Sequence, residues 1–271
     1  MCIRDRAQRL RAICGARGIP TFNELILGLP GQTYASFTAT LAEATPPLPH
    51  HDFVLFLCRL IDNAELGSPA SRAQHGLETR RCQWTTSTGV DAIIDEFQEV
   101  VVATRDLPLA DWRRAYRFAF LTAALYNLRL LRVVLYAGAD GLGGGRRALL
   151  VALADELVAA APGSVYAELA ATLDRYADSI LAGGPFVLPL VEPEPGAAPV
   201  PVDEAVASAA LARYDQFLAE TEAAIRALHG LAPSTTDVLA EAVQLQRLIT
   251  PRFGEPAPCT RRFAHAWPAY L

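Results

Sequence analysis

Residues 23–37, with the sequence NELILGLPGQTYASF, constrain the fold more than any other part of the chain. The run Leu25–Leu27 is continuously apolar, which is typical of a parallel strand buried on both of its faces. The Gly-Leu-Pro-Gly sequence at 28–31 ends the strand in a turn. Thr33 follows at a position suited to cap a helix that continues through residue 41. This stretch therefore predicts a strand, a tight turn and a capped helix in immediate succession.

The neighbouring segments extend this pattern. A helix is predicted over residues 7–18, and a second apolar run covers residues 53–61. Helix, strand, helix and strand joined by short links are typical of an α/β fold with a parallel sheet. The opening residues 1–6 join abruptly onto a helical pattern, and we interpret them as a non-native start and leave them out of the predicted fold.

Beyond about residue 78 the apolar residues follow the 3.6-residue period of helices. This spacing predicts a helix over 93–101 and another from residue 112. Further helices are predicted at 146–160, 164–182, 203–229 and 235–249. Residues 182–204 contain six prolines, which favours an extended linker or surface loop. The predicted fold class is thus α/β followed by all-α, with domains at 7–78 and 79–271.

Composition and charge exclude several classes of protein. The net charge is −5, which argues against an electrostatic nucleic-acid binder. All 24 basic residues are arginines, so mechanisms that depend on a P-loop or Schiff-base lysine are excluded. We find no signal peptide and no apolar run of the length that a membrane span requires. We therefore expect a cytoplasmic protein without nucleic-acid or membrane partners.

Several residues could carry chemistry. Glu24 lies beside a wholly apolar run, so its carboxylate needs a partner, which could be a ligand hydroxyl or a structural salt bridge. The glycines of the 28–31 turn would let a ligand approach the backbone at the carboxyl end of the strand. Asp95 and Glu99, four residues apart on the predicted 93–101 helix, form either a carboxylate site or a solvated acidic face. The five dispersed cysteines are interpreted as free thiols.

Three stretches in succession resemble the radical S-adenosylmethionine (SAM) enzymes that also carry a cobalamin-binding domain. GIPTFNELILGLPGQTYASF at 18–37 is similar to the family's GIPT-x-x-ELILGLPGET sequence. IDNAELGSPASRAQHGLE at 61–78 resembles its LPNAEMG-x-P…GME sequence. DEFQEVVVATRDLPLADWRRAYRF at 95–118 resembles E-x-Q-E-L-V-x-A-T-x-x-M-P-x-x-DW-x-R. The resemblance covers about residues 17–120.

The resemblance implies a fold and a set of cofactors. Residues 7–78 would form the last β/α units of a partial (β/α) barrel, and the helical remainder would be the C-terminal domain of the same enzymes. Such enzymes use SAM, a 4Fe-4S cluster and, in this subgroup, cobalamin for methyl transfer or other radical chemistry on a substrate that the sequence does not identify. By the match, Ile26, Gly28 and Gly31 would flank the adenosyl group of SAM, and Glu24 would be the polar residue near it.

The chain departs from the family pattern at three points. Gln32 stands where the family usually has Glu, and Asp62 stands where it usually has Pro. The CxxxCxxC motif that binds the cluster is absent, and so is a cobalamin-binding domain. We therefore expect the C-terminal fragment of a cobalamin-type radical SAM enzyme that is inactive by itself. The alternatives are a non-catalytic helical interaction or regulatory module with a vestigial α/β part, and an unrelated α/β enzyme with a small-molecule site after strand 24–29.

Overall fold

The computed structural model describes residues 3–46, 51–84, 96–140, 142–190, 199–231, 237–250 and 262–267. The helices in these residues are α1 (Ile3–Gly15), α2 (Tyr34–Glu43), α3 (Pro69–His75), α4 (Leu109–Tyr126), α5 (Arg132–Ala139), α6 (Gly145–Ala159), α7 (Val165–Leu181), α8 (Val202–Ala212), α9 (Tyr214–His229) and α10 (Val238–Ile249). The strands are β1 (Thr21–Leu27), β2 (His51–Leu57), β3 (Arg59–Leu60), β4 (Glu78–Trp84), β5 (Glu96–Ala103), β6 (Leu188–Pro189) and β7 (Pro199–Val200).

Strands β1 and β2 form a parallel pair, as predicted. Their register runs from Thr21 opposite His51 to Leu27 opposite Leu57. Leu25 and Leu27 face the helical core, whereas Ile26 on the opposite face is 39% exposed. The prediction of a strand buried on both faces was therefore wrong. Because side chains alternate along a strand, a continuous apolar run does not show whether both faces are covered.

A second, antiparallel sheet has the strand order β3–β5–β4. Strand β5 covers most of the segment for which a helix was predicted, so that prediction was wrong for residues 96–101. The run Phe97 to Val102 is rich in β-branched residues, and pairing with β4 along its length outweighs a helical period read from a few positions. Asp95 lies outside the described residues. The domain boundary at residue 78 stays a prediction; β3 pairs with β5 across it.

The helical part is organised around α4. This helix packs against α2, α6, α7 and α8, and buries Trp112, Tyr116 and Phe118 almost completely. The predicted helices at 146–160, 164–182 and 235–249 are confirmed as α6, α7 and α10. The predicted helix 203–229 is two helices, because the backbone leaves helical geometry at Arg213. The structure is therefore a mixed α/β fold with many helices.

Two further segments were singled out by the sequence. Part of the proline-rich segment 182–204 forms the short β6–β7 pair, held by the Tyr176 hydroxyl, which donates to the carbonyls of Leu188 and Val200. Residues 191–198 lie outside the described part of the chain. None of the helices in the described ranges combines the length and apolar character that crossing a bilayer requires.

Candidate functional site

A concavity of about 1250 Å³ lies at the carboxyl end of the β1–β2 pair; we call it the strand-end cavity. Its walls come from the end of β1, the end of β2 with the segment that follows it, and the facing side of the antiparallel sheet. The residues are Glu24, Ile26, Leu29, Phe56, Leu57, Cys58, Arg59, Leu60, Ile61, Asp62, Leu66, Thr79, Arg81, Phe97, Gln98 and Glu99. Carboxyl ends of parallel strands are the usual place for ligands in α/β proteins.

Glu24 and Ile26 lie on the face of β1 that turns away from the helices. Both line the strand-end cavity, and both side chains are exposed. Within the described part of the chain, Glu24 makes no salt bridge, which was the alternative role considered for it. Phe56 of β2 is 37% exposed and belongs to the same wall. The cavity thus presents the Glu24 carboxylate beside the apolar side chains of Ile26 and Phe56.

The turn after β1 is held by the side chain of Gln32. Its Oε1 accepts a hydrogen bond from Gly28 N–H at 2.8 Å, and its Nε2 donates to the Ile26 carbonyl at 3.1 Å. A carboxamide can accept and donate at once, whereas an ionised Glu at this position could only accept. Gln32, which stands where the family usually has Glu, therefore has a structural role in this turn. The predicted cap is confirmed: Thr33 and Ser36 form a reciprocal capping box at the start of α2.

The two glycines predicted to flank a ligand differ in their surroundings. Gly28 is buried, has φ +101°, and faces the Val101 carbonyl and the side chain of Cys58. Gly31 is exposed, has φ +75°, and has no atom near the position of a Cβ. Packing inside the fold therefore explains the need for glycine at 28. Contact of either residue with SAM stays a prediction.

One charged cluster at the rim of the cavity escaped the sequence analysis. The guanidinium of Arg72 donates two hydrogen bonds to the Glu99 carboxylate, and the Thr79 hydroxyl donates a third. These bonds, led by those from Arg72, lower the pKa of Glu99 to about 2. Glu99 is therefore a fixed anion at neutral pH and is a poor choice for proton transfer. The helix prediction for this segment concealed the cluster, since Thr79 and Glu99 come together only when β4 pairs with β5, and Arg72 reaches Glu99 from α3.

This pKa predicts the pH dependence of stability. Glu99 has a lower pKa in the folded than in the unfolded chain, so it stabilises the fold above about pH 4.5 and loses this effect as pH falls towards 2. We expect Glu99→Gln to flatten the decrease in melting temperature between these two pH values, as followed by circular dichroism. Glu96→Gln, on the same strand and exposed, is the matched control and should leave the decrease unchanged. A decrease as steep in Glu99→Gln as in the wild type would contradict the assignment.

The described cysteines do not fit a 4Fe-4S cluster. Cys58 and Cys82 are buried, and burial raises the pKa of both thiols, that of Cys82 to about 11. The described residues also contain no group of three or more His, Cys, Asp or Glu side chains placed to hold a metal ion. A cluster of this type needs thiolates that converge on it. Cys2 and Cys259 lie outside the described ranges.

Comparison with known proteins supports a relationship at a coarse level. No protein-family model matches the chain. A cobalamin-dependent radical SAM methyltransferase, TokK of Streptomyces tokunonensis, is 28% identical over 124 residues. The alignment covers 45% of this chain and 18% of TokK, so the chain matches under a fifth of its relative. Over that stretch the chain is similar to a cobalamin-dependent radical SAM methyltransferase.

Proposed function

We propose that the strand-end cavity is part of the SAM-binding surface of a cobalamin-type radical SAM enzyme. The observation that carries this proposal is the position of Glu24 and Ile26. Both lie on the open face of β1, at the carboxyl end of a parallel strand pair, in a cavity of about 1250 Å³. The 28% identity to TokK supports the proposal independently.

Each residue would have a separate role toward SAM. The Glu24 carboxylate would accept hydrogen bonds from ribose hydroxyls, which a charged acceptor strengthens. Ile26 and Phe56 would pack against the adenine, and the exposed Gly31 would let the cofactor approach the turn. Gln32 would act indirectly, since its bonds to Gly28 and Ile26 hold the turn in place. SAM would supply the group to be transferred or the radical precursor.

The cluster and cobalamin require other residues. Because the described cysteines are dispersed or buried, we propose that the cluster is held by polypeptide outside the described residues, and that cobalamin is held there too. The outer edge of β1 is consistent with this arrangement. Since Leu27 bonds to β2, the backbone groups of Phe22 and Glu24 point to the opposite edge, where another barrel strand could pair. The chain would then be the C-terminal part of a larger catalytic unit and inactive alone.

Replacing Glu24 by Gln tests the proposal. We expect SAM affinity to decrease by about 1.5–3 kcal/mol, roughly 10- to 150-fold, because the charge-assisted hydrogen bonds are lost while the shape is kept. Binding is measured by isothermal titration of SAM into the purified protein. Glu65→Gln changes an exposed carboxylate that does not line the cavity, and it should bind as the wild type does.

Two results would count against this function. Unchanged SAM affinity in Glu24→Gln together with a lowered melting temperature would assign Glu24 a structural role. A folded wild-type chain that binds no SAM, even when the upstream coding sequence is restored, would favour the helical interaction module instead.

A further inference from the structure

A second cavity, of about 450 Å³, lies on the other side of β2 from β1; we call it the edge pocket. It is formed between β2 and helices α4, α7 and α8. Its lining includes Leu55, Phe120, Phe186, Val187 and Asp203. Its volume is in the range of small-molecule sites, and its walls are mainly apolar with few polar groups, as such sites usually are.

The backbone of β2 gives this pocket a specific hydrogen-bonding pattern. Cys58 N–H donates to the Leu27 carbonyl, so the even-numbered residues of β2 bond to β1 and the odd-numbered ones point to the outer edge. At Phe53, one of these odd-numbered residues, the edge is occupied by the Asn127 side chain. Asn127 Nδ2 donates to the Phe53 carbonyl at 2.6 Å, and its Oδ1 accepts from Phe53 N–H at 3.2 Å.

Leu55 is the next residue whose backbone points to the same edge, and it lines the edge pocket. Among the described residues, no group bonds to its outward N–H and carbonyl. Leu55 is half-buried, and the N–H and C=O groups at such an edge normally bond to another strand, a side chain or a ligand, or to water. The same edge geometry that accepts a carboxamide at Phe53 is therefore repeated two residues later, facing a cavity.

The other walls of the edge pocket indicate the shape and charge that a ligand would need. Phe120, Phe186 and Val187 offer apolar surface, which suits the aromatic or aliphatic body of a ligand. Asp203, half-buried at the start of α8, and Arg59 give the lining one negative and one positive side chain, so the pocket has no net charge and suits a neutral ligand. Burial raises the pKa of this carboxyl group, in agreement with its apolar surroundings.

We propose that the edge pocket binds a neutral small molecule with an aromatic or similarly sized apolar body and a carboxamide. The carboxamide pairs with Leu55 N–H and C=O as Asn127 pairs with Phe53, and the apolar body lies against Phe120 and Phe186. This site is separate from the proposed SAM surface and does not depend on it. The two cavities share Phe56, Leu57 and Arg59, so the pocket is a neighbour of the strand-end cavity.

The probe is 3-phenylpropanamide, titrated into the ¹⁵N-labelled protein. We expect the Leu55 amide resonance to shift, and we expect methyl 3-phenylpropanoate, which has no N–H donor, to bind at least tenfold more weakly. The anion 3-phenylpropanoate should also bind more weakly, because it has no N–H to donate to the Leu55 carbonyl. Equal affinity for the amide and the ester, or binding without a shift at Leu55, would overturn the proposal.

Variants locate the site. Val187→Trp obstructs the pocket from a half-exposed position, and should weaken binding of 3-phenylpropanamide at least tenfold without changing the melting temperature. Val158→Trp, on the exposed face of α6, is the matched control and should bind normally. Wild-type affinity for 3-phenylpropanamide in Val187→Trp would also overturn the proposal.

Titration of SAM into Val187→Trp separates the two proposed sites. If the variant loses binding of 3-phenylpropanamide but still binds SAM, the result supports the edge pocket independently of the SAM surface.

Discussion

Replacing Gly28 by Ala should lower the free energy of unfolding by about 2–4 kcal/mol. The backbone at Gly28 has φ +101°, which costs an L-amino acid roughly 1–3 kcal/mol. The added Cβ would also lie 3.2 Å from the Val101 carbonyl oxygen and 3.3 Å from Cys58 Cβ. Both neighbours are buried in the sheet junction and have little room to move. Urea unfolding followed by tryptophan fluorescence measures the change.

Gly31→Ala is the matched control for this substitution. Gly31 also has positive φ, at +75°, but no atom lies within 4 Å of the position of its Cβ. Only the conformational cost applies, about 1–2 kcal/mol. Equal losses for the two variants would show that the contact with Val101 is not what requires glycine at position 28. A loss of SAM affinity in Gly31→Ala beyond its loss of stability would support the predicted contact with the cofactor.

Replacing Gln246 by Leu should lower the free energy of unfolding by about 2–5 kcal/mol. The Gln246 side chain is fully buried in α10. Its Oε1 accepts from Val133 N–H at 2.9 Å, and its Nε2 donates to the Arg129 carbonyl at 2.7 Å. Leu fills a similar volume but leaves a buried donor and a buried acceptor without partners, each at a cost of about 1–3 kcal/mol.

Gln244→Leu is the control for Gln246→Leu. Gln244 is on the same helix and only half-buried, so its replacement should change the unfolding free energy by less than about 1 kcal/mol. Thermal and urea unfolding of both variants measures the difference. A Gln246→Leu protein as stable as Gln244→Leu would mean that the turn between α4 and α5 does not need the bonds from α10.

Features that depend on neighbours in the chain could be predicted from the residues. The Gly28–Gly31 turn, the Thr33 cap and helices such as α7 and α10 all result from interactions that reach only a few residues along the chain. The parallel order of β1 and β2 could also be predicted, since short helix–strand connections leave few alternatives. The candidate residues Glu24 and Ile26 line the strand-end cavity, and their contact with SAM stays a prediction.

Features that depend on distant residues could not be predicted. The ion pair of Arg72 with Glu99 joins residues 27 positions apart, and the bonds from the Asn127 side chain to the Phe53 backbone join residues 74 positions apart. The prediction of a helix at 93–101 was wrong for the same reason. Pairing with β4, a separate segment of the chain, stabilises a strand there instead.

The sequence by itself therefore determined the order of strand, turn and capped helix around residues 21–43, the presence of most helices after residue 109, and which segment carries the family resemblance. Only the tertiary structure decided which face of β1 is open and where the outer edge of β2 faces a pocket. It also decided that Glu99, and not Glu24, has an arginine partner among the described residues. Local periodicity and capping are set by interactions within a turn or two of the chain. Exposure of a strand face or edge is set by which distant element packs there, and that depends on the whole fold.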